Sequence, residues 1–385
     1  VGIKRALFED EHNWFRESVA AFVDRELMPN RERFREQRFI DRETWLKAGA
    51  DGFLGIGVPS AYGGSGIEDF RFNAIFGEEL ARAGFAYSSA FGIQTDVVAP
   101  YLLQLTTEAQ RQRWLPGFVK GELISAIGMT EPAAGSDLKG IQTTARREGD
   151  GWLLSGSKTF ITNGFNADLI VTAAQTPDPG GISLFMVEKG MDGFSRGTKL
   201  DKLGQHEADT AELFFDEVAI PAENLIGEPG RGMRQMMGHL SQERISTAVV
   251  NVAHAAVALA LTLEYVMERR AFGRPIGSFQ NSRFVLAECD AELDMARVYV
   301  DRCVEAHVAG ELTAVEAAKA KLVSSEIQNK VIDACLQLHG GYGYIQEYEV
   351  ARSFVDARIT KIWAGTNEIM KEVIGRSLGL EQPRD

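Results

Sequence analysis

The string Ser241-Gln242-Glu243-Arg244 sets a carboxylate at the head of a small, apolar run that extends to Ala260. A glutamate in that setting is either an exposed first-turn residue or a buried base. Burial raises a carboxyl's pKa and suits it to take a weakly acidic proton. Ile127-Gly128-Met129-Thr130-Glu131-Pro132-Ala133-Ala134-Gly135-Ser136-Asp137 combines small side chains with two hydroxyls. Such a stretch lets backbone N–H groups approach a ligand closely, or is only a turn-rich strand exit. Lys158-Thr159-Phe160-Ile161-Thr162-Asn163-Gly164 puts an aromatic among hydroxyl residues. That pattern can wall and bond a planar ring, or belong to a core. Glu268-Arg269-Arg270-Ala271-Phe272-Gly273, followed by Gln280, closes a long helical pattern. It reads as a phosphate clamp or as a basic helix terminus favoured by the macrodipole. In Gln337-Leu338-His339-Gly340-Gly341-Tyr342-Gly343-Tyr344 the glycines end another helix and can let a cofactor lie against the backbone. Ile362-Trp363-Ala364-Gly365-Thr366-Asn367-Glu368 places a glycine in a helical stretch. That costs roughly 1 kcal/mol against alanine, which a close approach can offset.

These residues need elements to hold them. Residues 1–120 read as helical: Phe15, Val19, Phe22 and Val23 share a face, and Met28-Pro29 ends that first helix. Further helices are expected over 44–50, 69–83, 88–105 and 107–118. Beyond Gly121 the grammar changes. Short alternating segments at 143–147 and 152–156 flank Glu148-Gly149-Asp150-Gly151, a hairpin signal, and strands follow at 169–173, 183–187 and 210–218. Residues 121–229 therefore form a β-domain. Over 230–385 long helical patterns return, at about 232–270, 278–309, 313–338 and 347–378, as in an antiparallel bundle.

With 385 residues, 45% of them hydrophobic, the chain is long enough for two or three cores. The formal charge of −13 disfavours nucleic acid and anionic membranes as partners. Charges are expected to break every apolar stretch short of a membrane span. Lys4, Arg5, Glu9, Asp10 and Glu11 leave no cleavable signal pattern, so a cytoplasmic location is expected. Cys289, Cys303 and Cys335 have no paired spacing and read as packed, reduced thiols. The six histidines form no ligand cluster, and no metal is expected.

Taken together and in order, the motifs resemble the acyl-CoA dehydrogenase family over essentially the whole chain. The resemblance implies an α+β multidomain fold: an N-terminal α-helical domain, a middle β-barrel-like domain and a C-terminal four-helix bundle. It implies FAD as cofactor, held by Ile127, Met129, Thr130, Gly135 and Ser136 and covered by Phe160, Ile161 and Thr162. The family usually has Trp at the position of Phe160, so an indole N–H is lost while an aromatic wall is kept. Arg269, Phe272, Gln280, Gln337, Gly340 and Gly341 resemble residues that reach the FAD of a neighbouring subunit, with Thr366 and Glu368 also on the cofactor. A homo-oligomer, by family habit a tetramer, follows. Ser136, Ser241, Arg244, Ala364 and Gly365 are the expected contacts to substrate.

One departure is informative. Many family members carry the catalytic Glu at the position of Ala364, whose methyl cannot take a proton. Glu243 stands where the isovaleryl-CoA and long-chain members place their base, so the two departures compensate. The implied reaction is α,β-dehydrogenation of an acyl-CoA to the trans-2-enoyl-CoA, of the fatty acid β-oxidation type. Glu243 takes the α-proton and the backbone N–H of Ala364 bonds the thioester oxygen. Gln242-Glu243-Arg244 and the segment from Gly365 to Glu372 look most like the long-chain subgroup, which implies a medium- to long-chain substrate. Arg244 either meets the CoA portion or orients Glu243. An electron-transferring flavoprotein is the implied electron acceptor. Rival readings are a branched short-chain (isovaleryl-type) dehydrogenase, a flavin oxidase or monooxygenase on the same fold, and a non-catalytic acyl-CoA-binding subunit.

Overall fold

Amphipathic spacing in the first third of the chain produces helices that bury aromatic rings. In a computed structural model, which describes residues 3–380, α1 (Asp10–Phe22) buries Val19 and Phe22 and continues into a π-helical turn, Val23–Leu27. Pro29 deflects this path without ending it, because a 3-10 turn, Met28–Asn30, leads straight into α2 (Arg31–Gln37). Proline is tolerated at the start of a helical turn, where its missing N–H has no partner to lose. There follow α3 (Arg42–Ala50), α4 (Phe70–Leu80), α5 (Phe85–Gly92), α6 (Ala99–Gln104) and α7 (Glu108–Val119). The single helix expected over 88–105 is thus α5 and α6 joined by a second π-helical turn, Ile93–Val98. Phe22, Trp45, Phe53, Phe76 and Phe91 form one buried cluster with mostly edge-on or tilted ring pairs. Each such pair adds about 0.5–1.5 kcal/mol beyond area burial.

The middle of the chain is an eight-stranded mixed sheet. Its strands are β1 (Ser125–Gly128), β2 (Thr144–Glu148), β3 (Gly151–Thr162), β4 (Leu169–Thr176), β5 (Gly181–Glu188), β6 (Phe194–Lys199), β7 (Thr210–Ile220) and β8 (Leu225–Ile226). The order is β6-β7-β3-β2-β4-β5-β8, with β1 parallel to β4. Most strands run longer than their alternation predicted, and β6, with Ser195, Arg196 and Gly197 at its centre, had no apolar alternation to announce it.

Five α-helices complete the described chain. α8 (Gly232–Glu268) is followed by a tight hairpin, β9 (Arg270–Ala271) and β10 (Arg274–Pro275). Then come α9 (Gln280–Val308), α10 (Ala314–His339), α11 (Glu349–Ala357) and α12 (Asn367–Ser377). On α8 the buried stripe Ile245, Ala248, Val249, Val252, Ala255 and Leu259 follows helical spacing. It packs with Leu286, Cys289 and Leu293 of α9 and Ala320, Val331 and Cys335 of α10. Burying each Leu, Ile or Val stabilises by about 1.5–3 kcal/mol. The expectation that charges interrupt every apolar stretch fails on α8. An 18-residue window there has mean hydropathy 1.7, long and apolar enough to cross a membrane, but 61% of it is buried inside the protein, as befits a bundle core. The three cysteines are free and buried.

The expected helix over 347–378 is two helices. A 3-10 turn, Arg358–Lys361, precedes a break at Ile362–Thr366, where Ala364 has φ 51° and Gly365 φ 83°. Periodicity resumes on both sides, which is why the sequence reads as continuous. Thr366 restarts the helix by capping Ile369 N.

Candidate active site

A cleft of about 750 Å³ is lined by segments of all three parts of the chain. One wall is Ile127, Met129, Thr130, Gly135 and Ser136, together with Phe160, Ile161 and Thr162. The register of β3 against β7 slips between Lys158 and Ile161, and Phe160 sits in that slip at φ 59°. A bulge of this kind breaks side-chain alternation. Lys158 and Thr159 are both buried, while Phe160 projects with 69% of its surface exposed. The aromatic is therefore held out over the cleft by the backbone and is no core residue.

Beneath this wall lies an ion pair that the sequence did not announce. Lys158 donates to Glu131 Oε1 at 2.6 Å and to Met129 O at 3.3 Å. Glu131 also accepts from the backbone N–H groups of Gln142 (2.6 Å) and Thr143 (3.0 Å). Thr159 N donates to Thr130 O at 2.9 Å. Together these bonds fasten the 129–143 loop to the bulged strand.

The bundle supplies Glu243 and Arg244 from α8, and Ala364 and Gly365 from the break before α12. Tyr101 of α6, fully buried, donates to Glu243 Oε1 at 3.4 Å, and it is the carboxylate's one side-chain donor among the described residues. Burial pushes the Glu243 carboxyl up to about 7, with the Arg244 cation and the Tyr101 hydroxyl pulling the other way. The base position is braced on both sides. Gln242 Nε2 donates to Asp96 O at 2.9 Å, and the Ser246 hydroxyl donates to the Asp96 carboxyl. Asp96, buried in the second π-helical turn, also accepts from Asn73 and Thr95 at 2.8 Å each. A π-helical turn is a frequent mark of a functional site, and here it aims Ile93 and Val97 at the cleft.

Arg244 is buried, and its Nε has no partner among the described residues. It makes no hydrogen bond to Glu243 there, so its donors are free for a ligand. At the break, the left-handed φ of Ala364 is a strained conformation for a residue with a Cβ. Its N–H, in the cleft wall, has no acceptor among the described residues.

Several expected site residues lie elsewhere. Ser241, Thr366 and Glu368 do not line the cleft. Thr366 caps α12 by accepting from Ile369 N, and Glu368 is an exposed first-turn residue of the same helix. Arg269, Gln337, Gly340 and Gly341 meet in a separate recess of about 510 Å³, with Tyr265, His339 and Tyr342. In it the Tyr265 and His339 rings stack at 4.1 Å, and the Arg269 guanidinium lies 5.2 Å from the Tyr342 ring centre. Phe272 is 95% exposed at the hairpin tip, and Gln280 opens α9 on the surface; neither lines either cavity. Tyr101, Asp96 and the Lys158–Glu131 pair went unnoticed in the sequence, because nothing local marks a polar residue whose partner is distant in the chain.

Residues 9–122, 126–218 and 230–379 match three family descriptions: acyl-CoA dehydrogenase N-terminal domain, middle domain and C-terminal domain. The mitochondrial long-chain specific acyl-CoA dehydrogenase of Rattus norvegicus is 42% identical over 98% of this chain and 88% of its own. The mitochondrial isovaleryl-CoA dehydrogenase of Solanum tuberosum is 35% identical over 98% of this chain and 92% of its own. The crystal structure of an acyl-CoA dehydrogenase from Geobacillus kaustophilus, 44% identical, superposes with a TM-score of 0.95 over 97% of this chain and 100% of that one. With matches in all three domains and over nearly the full length, the chain belongs to the acyl-CoA dehydrogenase family, oxidoreductases that act on a CH–CH group.

Proposed function

We propose that this dehydrogenase acts on straight medium- to long-chain acyl-CoA thioesters, with Glu243 as its base and FAD as its cofactor. The observation that carries the reading is a half-buried carboxyl at Glu243, its pKa raised by desolvation, and an unpaired backbone N–H at Ala364, two residues that line one cleft. FAD, when bound, supplies the acceptor for the hydride that leaves Cβ. The residues fit that group. Phe160 offers an exposed aromatic face, and a Cβ added at Gly135 would meet nothing within 4 Å. The hydroxyls of Thr130, Ser136 and Thr162 make no side-chain hydrogen bond among the described residues and are free for a polar ring edge.

The α-proton of a thioester is a weak acid, so its removal needs stabilisation of the charge developing on the carbonyl oxygen. The Ala364 N–H is the donor placed for that oxygen, and an alanine retains it while giving up a carboxylate. Glu243 takes the proton, its basicity raised by burial. Arg244 holds the CoA portion through donors that Glu243 does not use. Ile93, Val97, Leu240 and Val250 give the cleft an apolar lining that suits an acyl chain and excludes water. The higher identity to the long-chain than to the isovaleryl relative favours a longer, unbranched chain.

Anaerobic bleaching of the bound flavin against acyl-CoAs from butyryl to palmitoyl, with isovaleryl included, tests the reading. Bleaching should be fastest with the medium and long straight chains. Fastest bleaching by isovaleryl-CoA would move the assignment to the branched class, and no bleaching of flavin-loaded protein by any of them would remove it. Rapid oxygen consumption during turnover would point instead to an oxidase. An electron-transferring flavoprotein is the proposed acceptor for the reduced enzyme.

The recess at Arg269 is lined by none of the cleft's residues. In this reading it receives part of the cofactor bound by a second copy of the chain, within a homotetramer. Arg269→Ala is therefore expected to lower flavin content or dissociate the assembly, both read from absorbance on a sizing column. Full flavin content in an unchanged oligomer would count against the clamp.

A further inference from the structure

Lys321 is a lysine with no exposed surface, on α10, a helix of which no residue lines the cleft. Its ammonium donates to Gly365 O at 2.8 Å and to Asn367 Oδ1 at 2.9 Å. Those two acceptors flank the restart of the chain after the Ala364–Gly365 break. Asn367, itself buried, is held further by Ser325 Oγ at 3.0 Å, and its own amide donates to Glu326 Oε1 at 2.8 Å. The far side of the break thus rests on α10 through one cation and one amide, while its near side is tied to the same helix by Thr360 and Lys361, which donate to Gln328 and Glu326. Lysine is rarely buried fully, because the ammonium loses its water. Here the neighbouring charges do not form a close ion pair with it. Arg244 repels it, Glu326 and Glu368 attract it from a distance, and burial brings it down to about 8.

What the lysine holds is a conformation that does not hold itself. Ala364 is left-handed without being glycine, and Gly365 follows at φ 83°. Two consecutive residues in this region leave the orientation of the Ala364 peptide dependent on outside contacts. The direct contact is at Gly365 O, one residue beyond the N–H in the cleft wall. We propose that Lys321 is a positioning residue for the reaction, fixing the Ala364 N–H toward the thioester oxygen by anchoring Gly365 from α10. The inference rests on the reading of that N–H as the carbonyl donor. Lys321 touches neither substrate nor cofactor. Its effect belongs in the rate of α-proton removal, where charge reaches the oxygen, and not in the affinity for the thioester.

The test is Lys321→Met, with Lys321→Gln as a milder variant and Ser325→Ala as a control. The control removes another donor to Asn367 Oδ1 and leaves Gly365 anchored. Stopped-flow flavin reduction against acyl-CoA concentration separates binding from rate. Amide exchange over residues 359–370 reads the break itself, with or without flavin. Lys321→Met should reduce its flavin about 10²-fold more slowly, the scale for losing or misplacing one oxyanion donor, with substrate affinity within about threefold. Exchange at the break should rise while exchange in α8 stays unchanged, Lys321→Gln should fall between, and Ser325→Ala should keep the wild-type rate. If Lys321→Met does not fold, Lys321→Gln alone is expected to show the slower reduction and the faster exchange. Reduction by a folded variant within threefold of wild type overturns the proposal, as does an equal loss in Ser325→Ala. If the wild type itself is not bleached by acyl-CoA, the role of Ala364 falls, and unchanged exchange at the break would then dispose of the anchor as well.

Discussion

Glu243→Gln is expected to leave a yellow, flavin-loaded protein whose flavin bleaches with acyl-CoA at least about 10³-fold more slowly, within the range for loss of a positioned general base. The substitution keeps the size and the hydrogen bond from Tyr101 and removes only the ability to take a proton. The other carboxylates of the cleft wall, Asp137 and Glu372, stand on the loop after β1 and on α12, and Ala364 offers none. A variant within tenfold of wild type would exclude Glu243 as the base. The pH dependence gives an independent check. With its carboxyl at about 7, the ionised base is scarce below that pH and abundant above it. The acid limb of kcat/KM should therefore lie near 7 and rise with pH, and it should be absent from the residual activity of Glu243→Gln. A limb between 4 and 5, in the ordinary carboxylate range, would mean that burial does not set the base. The linkage runs the other way for folding. A carboxyl raised in the folded state stabilises it fully below the ordinary value of 4.5, and that contribution is lost as pH rises through about 7. Activity is thus gained over a pH window in which this group's contribution to stability declines.

Local chemistry made this site only half legible in the sequence. Glu243 before a long apolar run reads as an exposed residue or a base, and Phe160 among hydroxyl residues as a ring wall or a core residue, and the family resemblance decides between them. The glycines at 340 and 341 mark a helix end without any knowledge of the fold, whereas Gly365 reads as a glycine inside a continuous helix. What stayed hidden is long-range. Tyr101 lies 142 residues from Glu243, Lys158 lies 27 from Glu131, and Lys321 lies 44 from Gly365. A lysine in a strand or on a helix reads as a solvated residue until its partner is known. The bulge at Phe160 hid in the same way, since the slip that turns the ring outward also ends the alternation by which β3 would be measured. Thr366 and Glu368, assigned to the cofactor by the resemblance, stand at the head of α12, where Thr366 caps the helix and Glu368 is exposed.

Lys158→Met is expected to cost about 3–5 kcal/mol, the scale for breaking a buried ion pair by removing one partner. The side chains of Lys158 and Glu131 are 0% and 3% exposed, so water cannot replace the lost partner. Two backbone N–H groups, of Gln142 and Thr143, still reach the Glu131 carboxylate, which places the expected loss toward the lower end. The effect should appear as a fall in melting temperature together with lower flavin content, because the pair fastens the loop that carries Met129, Thr130, Gly135 and Ser136. Glu131→Gln alone leaves the ammonium with Met129 O as its acceptor and should also destabilise. The double variant, Lys158→Met with Glu131→Gln, should lose less than the two singles together, because neither charge is then stranded. Additive losses would mean that the residues act separately and that the loop is held by its backbone bonds. A non-additive result would identify a second carboxylate in the protein whose role is the reverse of that of Glu243. Glu131 is kept ionised by a lysine to hold a loop still, whereas Glu243 is denied such a partner and left free to take a proton.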